Sequence, residues 1–89
     1  SRMVKLRFKE GILSLFSDTS EVGEASEEIE IDYGGPEIEI GFNSRYILDF
    51  LSVVEDSTLR IDLKDSLSSM LLAPREDKNY YCVVMPMRV

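Results

Sequence analysis

Apolar and polar residues alternate with a period of two in several segments of the chain, which is the pattern of strands with one buried and one solvated face. Residues 4–9 alternate apolar with basic side chains, and a Glu-Gly turn signal separates them from the apolar run 12–16. These two segments are predicted to form a β-hairpin. Alternation returns on either side of a Gly-Gly-Pro turn, in two further predicted strands, 28–33 and 37–42.

The period of the pattern changes after residue 43. Asn43 or Ser44 is a candidate N-cap for a helix, and polar side chains lie on the face opposite an apolar stripe. That stripe has helical spacing and consists of Tyr46, Ile47, Phe50, Leu51 and Val54. The pattern predicts one short amphipathic helix that packs on a sheet.

Three more strands are predicted after the helix, at 59–64, 67–72 and 80–85, separated by an Asp-Ser turn and a polar loop. The complete order is βββ followed by βαβββ, which predicts an α+β fold of antiparallel sheets with one helix. Residues 1–33 then correspond to the end of one βαβββ unit and residues 36–89 to a second unit. The similarity between the two units is one of element order only.

The first of these units would lack its leading strand and helix. The apolar face of Val4, Leu6 and Phe8 would then have no helix to cover it and would be an exposed surface prone to association. We therefore expect the chain to be a fragment of a longer one, or one whose N-terminal part has been cleaved.

Composition removes several classes of function. A chain of 89 residues holds one domain or a piece of one. It has no histidine and only one cysteine, Cys82, which excludes an intrachain disulfide, a Cys/His zinc site and any triad that needs imidazole. The net charge of −7 disfavours wrapping of nucleic acid through overall charge. No apolar run approaches the roughly 20 residues that span a bilayer, so a soluble protein is expected.

Three segments carry a resemblance to a known family. Residues 81–89 read Tyr-Cys-Val-Val-Met-Pro-Met-Arg-Val, residues 39–49 read Glu-Ile-Gly-Phe-Asn-Ser-Arg-Tyr-Ile-Leu-Asp, and residues 65–69 read Asp-Ser-Leu-Ser-Ser. In this order and spacing they resemble the tail, the strand-to-helix junction and a later hairpin of the C-terminal domain of bacterial DNA sliding clamps, the beta subunits of DNA polymerase III.

The resemblance implies the DNA-clamp (processivity) fold and a non-catalytic role in DNA replication, without a cofactor or a membrane partner. Three-domain subunits of that family form a head-to-tail homodimer ring that encircles duplex DNA in the bacterial cytoplasm. The partners implied are the catalytic subunit of DNA polymerase III, the clamp loader and repair proteins, which bind through short linear motifs. A free-standing β-rich dimerisation domain without a role at DNA is the alternative.

The end of the chain is the main candidate site. Two flexible thioethers on either side of Pro86 make a poor core but an adaptable surface. The resemblance implies a peptide-binding groove formed by Tyr46, Leu67, Ser69, Val83, Val84, Met85, Pro86, Met87 and Arg88. The alternative is that the two valines are ordinary strand core and that the tail is frayed.

Charged residues suggest two further sites. The acidic positions Glu21, Glu24, Glu27 and Glu28 are interpreted as a solvated loop or, by the resemblance, as the segment that faces basic residues of the next subunit across the ring interface. Arg45 either faces the DNA in the ring or pairs with Asp49 one turn further along the helix. The basic face of residues 5, 7 and 9 is interpreted as a solvated sheet edge.

Overall fold

The structure is a computed structural model that describes residues 3–19, 23–55, 58–75 and 80–87. Its elements follow the predicted order, βββ and then βαβββ. They are β1 (Met3–Lys9), β2 (Ile12–Thr19), β3 (Gly23–Glu30), β4 (Ile38–Asn43), α1 (Ser44–Val53), β5 (Leu59–Asp62), β6 (Met70–Pro74) and β7 (Cys82–Val84).

The first four strands form one antiparallel sheet in the order β3-β2-β1-β4. Leu6 in β1 lies opposite Leu15 in β2 and Ile40 in β4, so these side chains share one face of the sheet. Because β1 has a partner on each side, the interpretation of its basic residues as a solvated edge is wrong. They lie on the outer face of a central strand.

These basic residues are balanced by a carboxylate of the neighbouring strand. Arg7 Nη2 lies 2.6 Å from Glu39 Oε2, and Lys5 Nζ lies 3.7 Å from Glu39 Oε1. The hydrogen bond from Arg7 holds the pKa of Glu39 below its ordinary value. Since all three side chains are more than a third exposed, each pair contributes at most about 1 kcal/mol to stability.

The β1–β2 hairpin turns at Gly11, whose φ of 76° lies in the left-handed region that glycine adopts without strain. The Gly11 N–H donates to the Tyr33 carbonyl at 2.9 Å, and the Ile31 N–H donates to the Gly11 carbonyl at 3.0 Å. The chain after β3 is thereby attached to the tip of this hairpin.

The position of β3 differs from the predicted strand at 28–33. The strand runs from Gly23 to Glu30 and pairs with a β2 that extends to Thr19. Hairpin pairing of the two backbones prevails here over the weak strand propensity of a polar, acidic segment.

The last three strands form a second antiparallel sheet in the order β5-β6-β7. Its strands are shorter than the predicted 59–64 and 80–85, and β6 begins at Met70 where a strand from 67 was predicted. The reason for the late start is a turn: Asp65 Oδ1 accepts the Leu67 N–H at 2.9 Å and keeps this segment out of the strand ladder.

Helix α1 begins at the predicted place. Asn43 is its N-cap, because its Oδ1 accepts the Arg45 N–H at 3.0 Å. Of the five stripe residues only Phe50 is buried, while Ile47 and Val54 are partly buried against the core. Tyr46 is 58% exposed and Leu51 is 42% exposed, so the buried stripe is narrower than predicted.

One hydrophobic core joins both sheets and the helix. Its buried members are Leu6, Phe8, Leu13, Ile38, Ile40, Phe42, Phe50, Met70, Leu72 and Val84. Leu6 and Phe8 are thus covered, and the Phe8 ring lies 5.7 Å from that of Tyr33. The apolar face that was expected to be uncovered is therefore largely buried, and its margin at Val4 and Leu15 is half-buried.

Among the residues described, none of the helices has the length and apolar character needed to cross a membrane.

Candidate functional site

Residues 82–87, called the tail below, are held against both sheets. Strand β7 pairs with β6 through Met70 opposite Val84. Three residues further on, the Met87 N–H donates to the Gly41 carbonyl of β4 at 2.7 Å, in an antiparallel bridge. Through residue 87, therefore, the chain lies across the junction of the two sheets.

Side chains of this segment divide between the core and the surface. Val84 is buried at 2% exposure, while its neighbours Val83 and Met85 are 52% and 70% exposed. Pro86 is half-buried and Met87 is 37% exposed. Successive residues of a strand point to opposite faces, which explains why Val84 packs inward and the residues on either side of it do not.

The hairpin between β5 and β6 lies beside this segment. Ser69 directly precedes Met70, and Met70 pairs with Val84 at the end of the sheet from which the tail continues. Leu67, two residues earlier, is 87% exposed. A large apolar side chain thus projects from the turn into solvent next to the tail.

Helix α1 approaches the tail from the other side. It contacts β7, and Tyr46 stands in its first turn. The bridge between Gly41 and Met87 places this part of the tail against β4, two residues before the N-cap Asn43.

We call Tyr46, Leu67, Val83, Met85 and Met87 the tail surface. All five are large apolar residues that the structure leaves exposed. Exposed apolar groups are typical of interaction sites when they form a patch, and methionine adapts its shape to different partners. Arg88, also assigned to the groove from the sequence, lies outside the described residues.

A second candidate site is the acidic strand β3. It is an edge strand of the first sheet, and Glu27 and Glu28 are exposed there. They pair in register with Leu15 and Ser14, so they point to opposite faces of the sheet. The interpretation of these positions as a loop is corrected to a strand. Glu21 lies outside the described residues, and only the backbone of Glu24 is described.

A shallow hollow of about 310 Å³ lies next to this edge, at the side of the sheet away from β4. Ile29 on β3 lines it and is 49% exposed. The other lining residues are Val4, Leu15, Phe16, Ser17, Ala25, Ser26 and Glu27. Its lining is largely apolar, so the acidic edge is flanked by a surface whose hydration is unfavourable.

Arg45 is exposed in the first turn of α1. Among the ion pairs of the described residues, none joins Arg45 to Asp49. The structure therefore does not favour the intrahelical pair over a position free to meet an external group.

The fold and the tail surface define a small α+β interaction domain, and its sequence family is clear. The family described as "DNA polymerase III beta subunit, C-terminal domain" matches residues 1–88. The chain belongs to this family.

Individual relatives agree with the match. The chain is 39% identical to the beta sliding clamp of Haemophilus influenzae over 89 residues, which are 100% of this chain and 24% of that protein. It is 44% identical to the beta sliding clamp of Pseudomonas putida over 90 aligned positions, covering 99% of this chain and again 24% of the relative.

Solved structures show the same fold. The DNA polymerase III subunit beta from Pseudomonas aeruginosa superposes with a TM-score of 0.92 at 39% identity, over 99% of this chain and 24% of that one. The beta subunit from Thermotoga maritima superposes with a TM-score of 0.90 at 30% identity, over the same shares of the two chains. The chain thus spans 24% of the length of the relatives it matches.

Proposed function

We propose that this chain is part of a DNA replication clamp, a non-catalytic ring that encircles duplex DNA in the bacterial cytoplasm. The tail surface would bind short extended peptides of the DNA polymerase III catalytic subunit, the clamp loader and repair proteins. Support comes from the family and from relatives named beta sliding clamps. A tethered polymerase that releases its template rebinds before it can diffuse away, so the ring acts by raising effective concentration.

The observation that carries the peptide-binding proposal is the fastening of an exposed apolar segment. The Met87–Gly41 hydrogen bond of 2.7 Å and the burial of Val84 hold the backbone of the tail, while Val83 and Met85 remain outside. A surface ordered before binding loses less conformational entropy when a partner arrives. The half-buried Ser69 and Pro86 lie at its margin.

Deletion of residues 85–89 tests this proposal. A synthetic peptide containing Gln, Leu and Phe, of the kind that clamps bind, is titrated against the full-length gene product with and without the deletion. We expect affinity to fall at least about tenfold, because two exposed methionines and their hydrogen-bonded backbone are lost. Val84, the last core residue, is retained, and the melting temperature is measured to verify the fold. Undiminished binding by the folded deletion variant would refute the assignment.

The acidic edge is proposed as the ring interface. Support comes from the edge position of β3, whose backbone groups are available for pairing, and from the exposure of Glu27 and Glu28, which would meet basic residues of the next subunit. Glu21 and Glu24 are assigned to the same interface from the sequence. Opposite charges of this kind set the orientation and rate of assembly more than the affinity.

Charge reversal tests the interface. The double substitution Glu27→Lys, Glu28→Lys should weaken dimerisation of the full-length gene product at least about tenfold, because like charges then face each other. Sedimentation equilibrium measures the dimer fraction. Glu37→Lys serves as the matched control, since Glu37 is also exposed but precedes β4 at the other side of the sheet. Equal dimer fractions in both variants would place the interface elsewhere.

Arg45 is proposed to face the DNA inside the ring. Its exposure in the first turn of α1 leaves the guanidinium available for phosphate oxygens. A contact of this kind carries no sequence information and lets the ring slide.

A free-standing dimerisation domain is the second candidate, and the apolar hollow beside β3 is the observation that favours it. The sequence of the full-length gene product distinguishes the two candidate functions. The clamp requires further upstream domains with the same element order, whereas the dimerisation domain does not.

A further inference from the structure

We propose that Asp65 is a positioning residue of the tail surface, which acts by holding Leu67 in place for a bound peptide. This inference rests on the proposed peptide-binding function. It assigns to the turn between β5 and β6 an active part in shaping the site.

The turn is organised by the Asp65 side chain. Its Oδ1 accepts the Leu67 N–H at 2.9 Å. Aspartate at the first position of a turn commonly bonds to the backbone two residues later in this way. That hydrogen bond, together with one from Ser68, holds the pKa of Asp65 below its ordinary value. The carboxylate is therefore ionised at neutral pH and acts as an acceptor.

Packing does not orient Leu67. Its side chain is 87% exposed, and it is not among the residues of the core cluster in the described part of the chain. The strand ladder does not hold it either, because β5 ends at Asp62 and β6 begins at Met70. The Leu67 N–H has its hydrogen-bond acceptor in the Asp65 carboxylate.

The location of the turn gives that hydrogen bond a functional consequence. Met70, the first residue of β6, pairs with Val84, the last residue of β7, so the turn enters β6 at the same end of the sheet at which the tail leaves β7. Its conformation determines where Leu67 stands relative to the exposed methionine. Loss of the Asp65 acceptor would release the turn, and a peptide would then have to order Leu67 as it binds.

The experiment is a double-mutant cycle in the full-length gene product, with the Gln-, Leu- and Phe-containing peptide as the probe. Asp65→Ala should weaken peptide binding about three- to tenfold, the range of one hydrogen bond. Asp65→Asn, whose amide oxygen can still accept the Leu67 N–H, should retain affinity within about twofold. In a Leu67→Ala background, Asp65→Ala should have no further effect, because Asp65 acts only through Leu67.

Asp62→Ala is the matched control, since Asp62 is an exposed aspartate at the end of β5 that pairs with Arg60 at 3.3 Å. It should leave peptide affinity unchanged. Melting temperatures verify the fold of each variant. If Asp65→Ala lowers the melting temperature, Asp65→Ser replaces it in the cycle and should bind with intermediate affinity.

The outcomes separate this inference from the function on which it rests. If Leu67→Ala or deletion of 85–89 weakens binding while Asp65→Ala does not, the positioning role is wrong and the peptide site stands. Additive effects of Asp65→Ala and Leu67→Ala would also overturn it, because Asp65 would then act independently of Leu67. If no variant alters binding, the proposed function itself fails.

Discussion

Replacing Phe42 by alanine is expected to lower the free energy of unfolding by about 3 to 5 kcal/mol. Phe42 is 0% exposed and lies in β4, where it belongs to the hydrophobic core. Truncation of its ring leaves a cavity that the two sheets and the helix cannot close without moving. Small domains are stable by only about 5 to 15 kcal/mol, so this one change removes a large share of the total.

Urea denaturation followed by circular dichroism measures this loss. The matched control is Tyr81→Ala, since Tyr81 is an aromatic residue that is 61% exposed. It should change stability by no more than about 0.5 kcal/mol. Similar midpoints for the two variants would contradict the burial of Phe42 in the core.

The second large effect is expected from a pair of neighbouring valines on β7. Val83→Asp should weaken peptide binding at least about tenfold with little change in stability, because a carboxylate is placed in an exposed apolar surface. Val84→Asp should instead destabilise the fold by more than about 3 kcal/mol, since an unpaired charge is buried at a site with 2% exposure. Each variant serves as the control for the other.

Peptide titration and thermal unfolding of both variants distinguish the two roles. The expected pattern is a loss of binding in one variant and a loss of stability in the other. Normal peptide binding by Val83→Asp would remove this residue from the tail surface. A stable Val84→Asp variant would contradict the burial of this position.

The physical basis of this contrast is that a single short strand serves both purposes. Val84 anchors β7 in the core, and the Met87–Gly41 hydrogen bond fastens the chain beyond it. The backbone of the residues between and beside these two anchors is therefore held in one conformation at the surface. Stability depends on Val84 and the candidate site depends on its neighbour Val83, so the two properties can be changed separately.

Local patterns in the sequence predicted much of the fold. The alternation in residues 4–9 predicted β1, and the glycine of the Glu-Gly turn adopts the left-handed conformation at the tip of the first hairpin. The change of period after residue 43 predicted α1 and its cap. These features depend on neighbours along the chain, so a short window of sequence contains the information that they need.

The incorrect boundaries arise where a partner distant from the local pattern decides the structure. The acidic segment of β3 forms a strand because β2 pairs with it, although its own residues favour a loop. The segment after Asp65 was predicted as a strand, but one side-chain hydrogen bond makes it a turn. In both places the competing interaction is not encoded in the periodicity of the segment itself.

Sequence alone was enough to predict the order of strands and helix and to exclude histidine as a ligand or base among these 89 residues, because propensity, periodicity and composition are local properties. The folded structure was needed to show that β1 is a central strand, that Leu6 and Phe8 are covered, and that Met87 bridges to Gly41 of β4. Those arrangements depend on which strands pair and which faces the shared core buries. They arise only when the whole chain is folded, since each buried face needs a partner from a distant part of the sequence.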